Sequence, residues 1–199
     1  MKIRPLGIEG AYEVTPAQHS DDRGLFAEWY RFDHLAAEVG HPLRLEQANL
    51  SVSAHGVVRG IHYADVPPGQ AKYVICVRGA ALDVIVDIRV GSPTFGQWVA
   101  VRLDDVDRRA VYIAEGLGHG FCALSPDATL VYLCSHTYAP QRERTVNAMD
   151  PELAISWPVP APVLSPRDAS APVLADAMGQ GLLPDFGVCT EYTRSLRTG

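Results

Sequence analysis

The sequence predicts an all-β domain, a barrel or sandwich, and three observations carry that prediction. Between Glu46 and Tyr138, short runs rich in Val and Ile recur at roughly ten-residue spacing, divided by Gly, Pro and Asp. The 199 residues are 47% hydrophobic with 17 Gly and 15 Pro, which suits one sizeable core with many turns and excludes fibrous, collagenous and disordered chains. Helical signals are few.

Taken in order, the first is Asp33–Val39, a helix with Asp33 as its N-cap and Gly40 as its stop. The strands that follow are Lys72–Val77, Ala81–Ile88, Gly96–Leu103 and Ala128–Cys134, each long enough to cross a sheet. From Trp157 to Pro166 the prolines at 158, 160, 162 and 166 forbid regular helix and most sheet pairing. Residues 167–199 are too few for a second core, so this segment reads as an extended strap across the barrel, followed by a docking C-terminal helix. A helix is expected over Pro172–Met178, with Gly179 past its end. The whole of 1–199 is then one domain, with the barrel core over 46–140 and the strap and C-terminal helix over 157–199.

Lys+Arg number 17 against 23 Asp+Glu, a formal net charge of −6, so the molecule as a whole repels polyanions and no nucleic-acid partner is expected. Any positive charge used in binding must be gathered in a pocket. Cys76, Cys122, Cys134 and Cys189 show no C-x-x-C spacing, and the first three lie in apolar runs as small core residues. No signal-peptide stretch opens the chain and no run reaches the roughly 20 apolar residues that span a bilayer. The expectation is a reduced, cytoplasmic protein without a membrane partner.

Polar residues cluster in three places: Gln47-Ala48-Asn49-Leu50-Ser51, Gly56-Val57-Val58-Arg59-Gly60-Ile61-His62 and Gln70-Ala71-Lys72. On a strand Gln47, Asn49 and Ser51 share one face, which is solvated or lines a site. Arg59, His62 and Lys72 together point to a site, because polar groups inside a barrel are costly unless something binds there. The Gly56–His62 spacing resembles the first cupin motif, and Ala114-Glu115-Gly116-Leu117-Gly118-His119 the second, with Ala114 in place of the usual Pro. Only His62 and His119 remain of a four-ligand set, since Ala64 stands where a second His belongs and no Glu lies between His62 and Gly79. No metal is therefore expected.

A His released from metal duty can act as a general base, given a carboxylate that fixes its tautomer and stabilises the imidazolium. Asp168, just after the strap, is one candidate, although it also reads as a helix N-cap; Asp83 and Asp87, alternating on a strand, are rivals. Tyr132 lies in an apolar strand, where a phenol commonly fills core, and Arg23 follows an acidic turn, where a surface ion pair would account for it.

With these blocks, and with Asp22-Arg23-Gly24, Phe26, Glu28, Ser92-Pro93-Thr94-Phe95-Gly96, Tyr138-Ala139-Pro140, Ile155-Ser156-Trp157-Pro158 and Ser165-Pro166-Arg167-Asp168-Ala169, the chain resembles the dTDP-4-dehydrorhamnose 3,5-epimerase family almost end to end. The resemblance implies a jelly-roll (cupin-type) barrel and a homodimer in which N-terminal strands within 1–45 are exchanged. It implies a cofactor-independent isomerase that inverts C3, C5 or both of dTDP-4-keto-6-deoxy-D-glucose in deoxysugar biosynthesis, antibiotic sugars included. Carried over by position, His62 is the base, Asp168 its orienting partner, Lys72 the enolate stabiliser and Tyr132 the acid. Arg59 and a partner's Arg23 would hold the diphosphate. Gln47, Asn49 and His119 would line the pocket, while Tyr138, with Phe26 and Glu28 from the second copy, would surround the thymidine. Ala64, Ala114 and Cys134-Ser135-His136-Thr137 depart from the family pattern without removing a catalytic group. The competing readings are a metal-dependent cupin oxygenase, a 3,4-ketoisomerase on the same barrel, and a non-catalytic sugar-binding module.

Overall fold

Alternation along the strand runs decides which core each side chain enters. In the computed structural model, which describes residues 1–197, the elements run β1 (Lys2–Pro5), β2 (Ala11–Thr15), β3 (Gln18–Asp21), β4 (Gly24–Ala27), α1 (Phe32–Val39), β5 (Gln47–Ser53), β6 (Val58–Ala64), β7 (Lys72–Arg78) and β8 (Ala80–Val86). They continue as β9 (Trp98–Asp104), β10 (Ala110–Ile113), β11 (Gly118–Ala123), β12 (Ala128–Cys134), β13 (Glu143–Thr145), α2 (Pro166–Ala169), α3 (Leu174–Gly179) and α4 (Phe186–Leu196). Two antiparallel sheets, ordered β1-β2-β10-β7-β12-β5 and β13-β6-β11-β8-β9, form the walls of a jelly-roll barrel, and β3-β4 stands apart as a hairpin.

The near-continuous apolar reading of β8 follows from this layering. Ala81 and Ile85 point into the core between the sheets, whereas Val84 and Val86 point into a second core covered by Leu153, Ile155 and Leu174. Both faces are buried, so the strand has no polar side. The strap is the lid of that second core: Trp157 and Leu164 pack against it, and Val163 bridges to Val57 in parallel pairing.

Several boundaries differ from the sequence reading. β8 ends at Val86 because Asp87 turns to collect Arg89, Ser92 and Thr94. β9 begins at Trp98, after Gly96 at φ 76°. Asp33 does not cap α1: its carboxylate is taken by Arg31 at 2.9 and 2.6 Å, Arg31 itself stands at the cap position, and Asp33 lies in the first turn. Gly40, at φ 91°, closes that helix as expected. α3 starts at Leu174, whose N–H donates to Asp150 Oδ2 at 2.6 Å, and it includes Gly179; the left-handed residue is Gly181. α4 is capped by Asp185, which accepts from Val188 N–H at 2.9 Å, a signal the sequence reading passed over. All four cysteines are free and buried, and no helix among the described residues is long and apolar enough to cross a membrane.

β1 pairs with β2, and β2 pairs with the chain's own β10. Of the N-terminal strands, β3 and β4 alone pair with neither sheet of the barrel.

Candidate active site

The pocket opens between the two sheets, with a volume of about 310 Å³. One wall supplies Gln47, Asn49 and Ser51 from β5, Tyr132 and Cys134 from β12, and Lys72 from β7; the other supplies Arg59 and His62 from β6 with His119 and Phe121 from β11. The registers explain the convergence. Cys134 lies opposite both Gln47 and Lys72, Tyr132 lies opposite Asn49, and His119 lies opposite His62. The period of two then turns these paired side chains inward together, and Arg59, three residues before His62, shares the pocket across the register shift between His119 and Phe121.

β6 and β11 meet closely because both are Gly at the crossing. A Cβ on Gly60, whose φ is 118°, would fall 2.6 Å from Gly120 Cα and His119 O, so only glycine keeps His62 and His119 in their present register.

Each of the two histidines is held by a carboxylate. His62 Nε2 lies 2.7 Å from Asp168 Oδ1, and His119 Nε2 lies 2.8 Å from Asp83 Oδ2. Asp168 is presented by α2, whose N-cap is Ser165, not Asp168: the Ser165 hydroxyl accepts from Asp168 N–H at 3.1 Å, which frees the carboxylate to face His62. Burial pushes the Asp168 carboxyl up, but hydrogen bonds from His62, Ser165 and the Gly60 backbone, with the His62 charge, hold it below its ordinary value. Asp83 is fully buried and pushed upward by that burial, which His119 and Lys72 reverse only in part. Asp87 faces away from the pocket into its cluster with Arg89, which removes it as a rival partner for His62.

Among the described residues the Lys72 side chain makes no hydrogen bond or ion pair, and burial lowers its affinity for a proton while Cys134, Glu143 and Asp83 raise it. Tyr132 is wedged against Phe121 and the edge of His119, with ring centroids 6.5 and 6.1 Å away. Its burial pushes the phenol above its ordinary value, so it is protonated at neutral pH. Gln47 is fixed at both ends: its amide donates to Asn49 Oδ1 at 2.8 Å and its oxygen accepts from Tyr138 N–H at 2.8 Å.

The pocket thus gathers His62, Lys72, Tyr132, Gln47, Asn49, Arg59, His119 and Tyr138, with Asp168 directly behind His62. It does not include Arg23, Phe26 or Glu28, which sit on or just after the β3–β4 hairpin; Arg23 is paired with Asp21 and its side chain is 90% exposed. Glu143, Arg167 and Gln70 also line the pocket. Arg167 was legible as the neighbour of Asp168; Glu143, on a three-residue strand, left no periodic signal. Among the described residues no group of three or more His, Cys, Asp or Glu is placed to hold a metal ion.

The family model described as dTDP-4-dehydrorhamnose 3,5-epimerase matches residues 5–176. A dTDP-4-dehydrorhamnose 3-epimerase of Streptomyces niveus is 62% identical over 193 residues, covering 97% of this chain and 93% of the relative. Among solved structures, NovW, a 4-keto-6-deoxy sugar epimerase from the novobiocin biosynthetic gene cluster of Streptomyces spheroides, is 63% identical and superposes with a TM-score of 0.94 over 95% of each chain. ChmJ, a 3'-monoepimerase from Streptomyces bikiniensis in complex with dTDP-quinovose, is 51% identical with a TM-score of 0.96 over 98% of this chain and 99% of that one. A barrel of this topology, an inward His and Lys set and matches of this length place the chain in the dTDP-4-dehydrorhamnose 3,5-epimerase family of dTDP-sugar epimerases.

Proposed function

We propose that the pocket binds a dTDP-4-keto-6-deoxy sugar and inverts C3, C5 or both by deprotonation on one face and reprotonation on the other. The observation that carries the assignment of roles is the 2.7 Å contact of His62 with Asp168 in a pocket that also holds Lys72 and Tyr132. A proton beside a ketone is removable only when the enolate oxygen is stabilised, and an ammonium already aimed into the pocket does so without reorganisation. Lys72 takes that role at the C4 oxygen. His62 is the base, and Asp168 orients its ring and stabilises the imidazolium. Tyr132 is the acid, since inversion needs a proton from the opposite face; such acids and bases each contribute about 10²–10⁴-fold.

Arg59 meets the diphosphate, and with Lys72 and Arg167 it gives the pocket three of the chain's 17 Lys and Arg side chains. Gln47, Asn49, His119 and Tyr138 orient the substrate. The N-terminal hairpin completes the site from a second copy, bringing Arg23 to the diphosphate and Phe26 and Glu28 to the thymidine. Exposed Leu25, Phe26, Leu50, Val52 and Val77 support a dimer of this kind, because apolar side chains in such number on the hairpin, β5 and β7 favour a partner surface. Four free thiols accord with a reducing, cytoplasmic setting. No metal or organic cofactor takes part in this reading.

Incubating the 4-keto-6-deoxy sugar nucleotide with the enzyme in D₂O tests it. Deuterium is expected at C3, C5 or both, and its position assigns the regiochemistry; absence of label at both carbons refutes epimerisation here.

A further inference from the structure

The second cupin-like motif gives His119 to the pocket, while its Glu115, in the turn between β10 and β11, takes no part in the chemistry above. Glu115 is only 3% exposed. An acidic side chain that deep is costly beside an apolar one of similar size, so its contacts have to account for it. Two of them lead to the start of β7. Glu115 Oε1 accepts from the Ser135 hydroxyl at 3.2 Å, and Ser135 grips Ala71 from both sides: its Oγ accepts from Ala71 N–H at 2.8 Å, and its own N–H donates to Ala71 O at 3.0 Å. The stem of Glu115 packs on Gly69, where the backbone stands at φ 68° and a Cβ would fall 2.8 Å from Glu115 Cβ. Glu115 Oε2, the Tyr112 hydroxyl and His41 Nε2 are buried without a partner among the described residues, and the three side chains line one cavity of about 60 Å³. A polar cavity of that size has room for a few waters, at roughly 10–15 Å³ each, which satisfy such atoms and complete the anchoring of the carboxyl.

Lys72 follows Ala71 directly and lies opposite Cys134, the neighbour of Ser135. Among the described residues no hydrogen bond or ion pair steers its side chain, so the place of its ammonium rests on the backbone that carries it. We propose that Glu115 is a positioning residue for the reaction: through Ser135 it fixes Ala71 and so aims Lys72 at the C4 oxygen of the sugar. The proposal rests on the reading of Lys72 as the enolate stabiliser. Glu115 lies outside the pocket and acts only through this link. A shift of about 1 Å at a group that must meet a developing charge costs up to about 10²-fold in rate, which is the scale of effect the link controls.

Lys2 and Lys72 are the chain's only lysines, so reductive methylation with ¹³C-formaldehyde gives Lys72 an NMR signal of its own, identified by its loss in Lys72→Met, with Lys2 as internal reference. Steady-state kinetics are measured on the unmethylated enzymes. Ser135→Ala and Glu115→Met are expected to lower kcat by about 10–10²-fold with KM changed by less than about threefold, and to move the Lys72 signal while that of Lys2 stays in place. Glu115→Gln, which keeps an oxygen toward Ser135, holds kcat within about threefold of native and leaves the Lys72 signal where it was. Circular dichroism with a thermal melt checks folding, and Ser135→Ala, the smaller change, carries the test where Glu115→Met fails to fold. Native kcat in Ser135→Ala overturns the proposal, and so does a loss of activity with the Lys72 signal unmoved, which means that Glu115 and Ser135 support packing alone. Lys72→Met tells the two readings apart: native kcat there removes Lys72 from the chemistry itself, whereas an inert Lys72→Met beside an unaffected Ser135→Ala removes the positioning alone.

Discussion

Two imidazoles lie side by side across the β6–β11 pair, and their carboxylates differ in environment in a way that suits the proposed base. Asp168 is held below its ordinary value by His62, Ser165 and the Gly60 backbone, whereas burial lifts Asp83. An ionised Asp168 behind His62 stabilises a ring that has just gained a proton, which is what a base requires. Replacing Asp168 with Asn keeps the shape and removes the charge. The expected result is a kcat lowered by about 10²–10⁴-fold with the fold intact, read by steady-state kinetics alongside circular dichroism; a loss below threefold or so would show that Asp168 only fills space. The chain order gave no means of choosing among Asp83, Asp87 and Asp168, because carboxylates far apart in sequence become rivals only through distance. His62 and Lys72 were legible as pocket residues, since His62 lies within an apolar strand and Lys72 opens one.

At the level of elements, the site depends on how β6 crosses β11. Gly60 admits the close approach and a positive φ at once, so Gly60→Ala forces the strands apart beside His62. We expect about 1–3 kcal/mol of destabilisation by denaturant unfolding and a fall in kcat larger than that stability loss alone would cause, since His62 moves relative to Lys72. The strand runs of the barrel were readable from their apolar content, with ends shifted by one to a few residues. Those shifts have local causes: Arg31 takes the carboxylate of Asp33, Asp150 receives the first N–H of α3, and Asp87 ends β8 by turning toward Arg89. Such side-chain competition leaves little trace in a hydrophobic pattern.

Over the whole molecule, the Asp87 cluster ties three distant segments together. Arg89 donates to Asp87 and to Glu9 O, and its guanidinium lies 5.0 Å from the Phe186 ring of α4. Burial alone would raise the Asp87 carboxyl, and bonds from Arg89, Ser92 and Thr94 with the guanidinium charge more than reverse it. A carboxyl lowered in the folded state stabilises the protein above its ordinary value of 3.8 and loses that contribution as pH falls below it. Asp87→Asn should therefore cost about 3–5 kcal/mol at neutral pH, by leaving Arg89 buried without a counter-charge. It should also flatten the acid limb of stability; an unchanged limb in urea melts at several pH values would show that other carboxylates govern it. The second whole-molecule prediction concerns the shared site. If Arg23 acts in the pocket of another copy, Arg23→Ala and His62→Ala are each nearly inactive, and mixing and refolding them together restores activity, because mixed dimers contain one intact site. No restoration would place Arg23 outside any shared pocket.

Composition and strand periodicity by themselves determined the all-β class and the main strands, because burial on a pleated strand repeats every two residues and leaves its mark in the chain. The motif blocks determined the family, and with it the set of side chains to look for. What the tertiary structure decided was pairing at a distance: that Asp168, implied by the resemblance but not selected by strand pattern, reaches His62, that Ser165 and not Asp168 caps α2, that Ser51 touches Tyr132, and that the β3–β4 hairpin stays off its own pocket. Those contacts join residues up to 106 positions apart, and hydrogen bonds act over a few ångströms of space, so only the folded registers could bring them into reach.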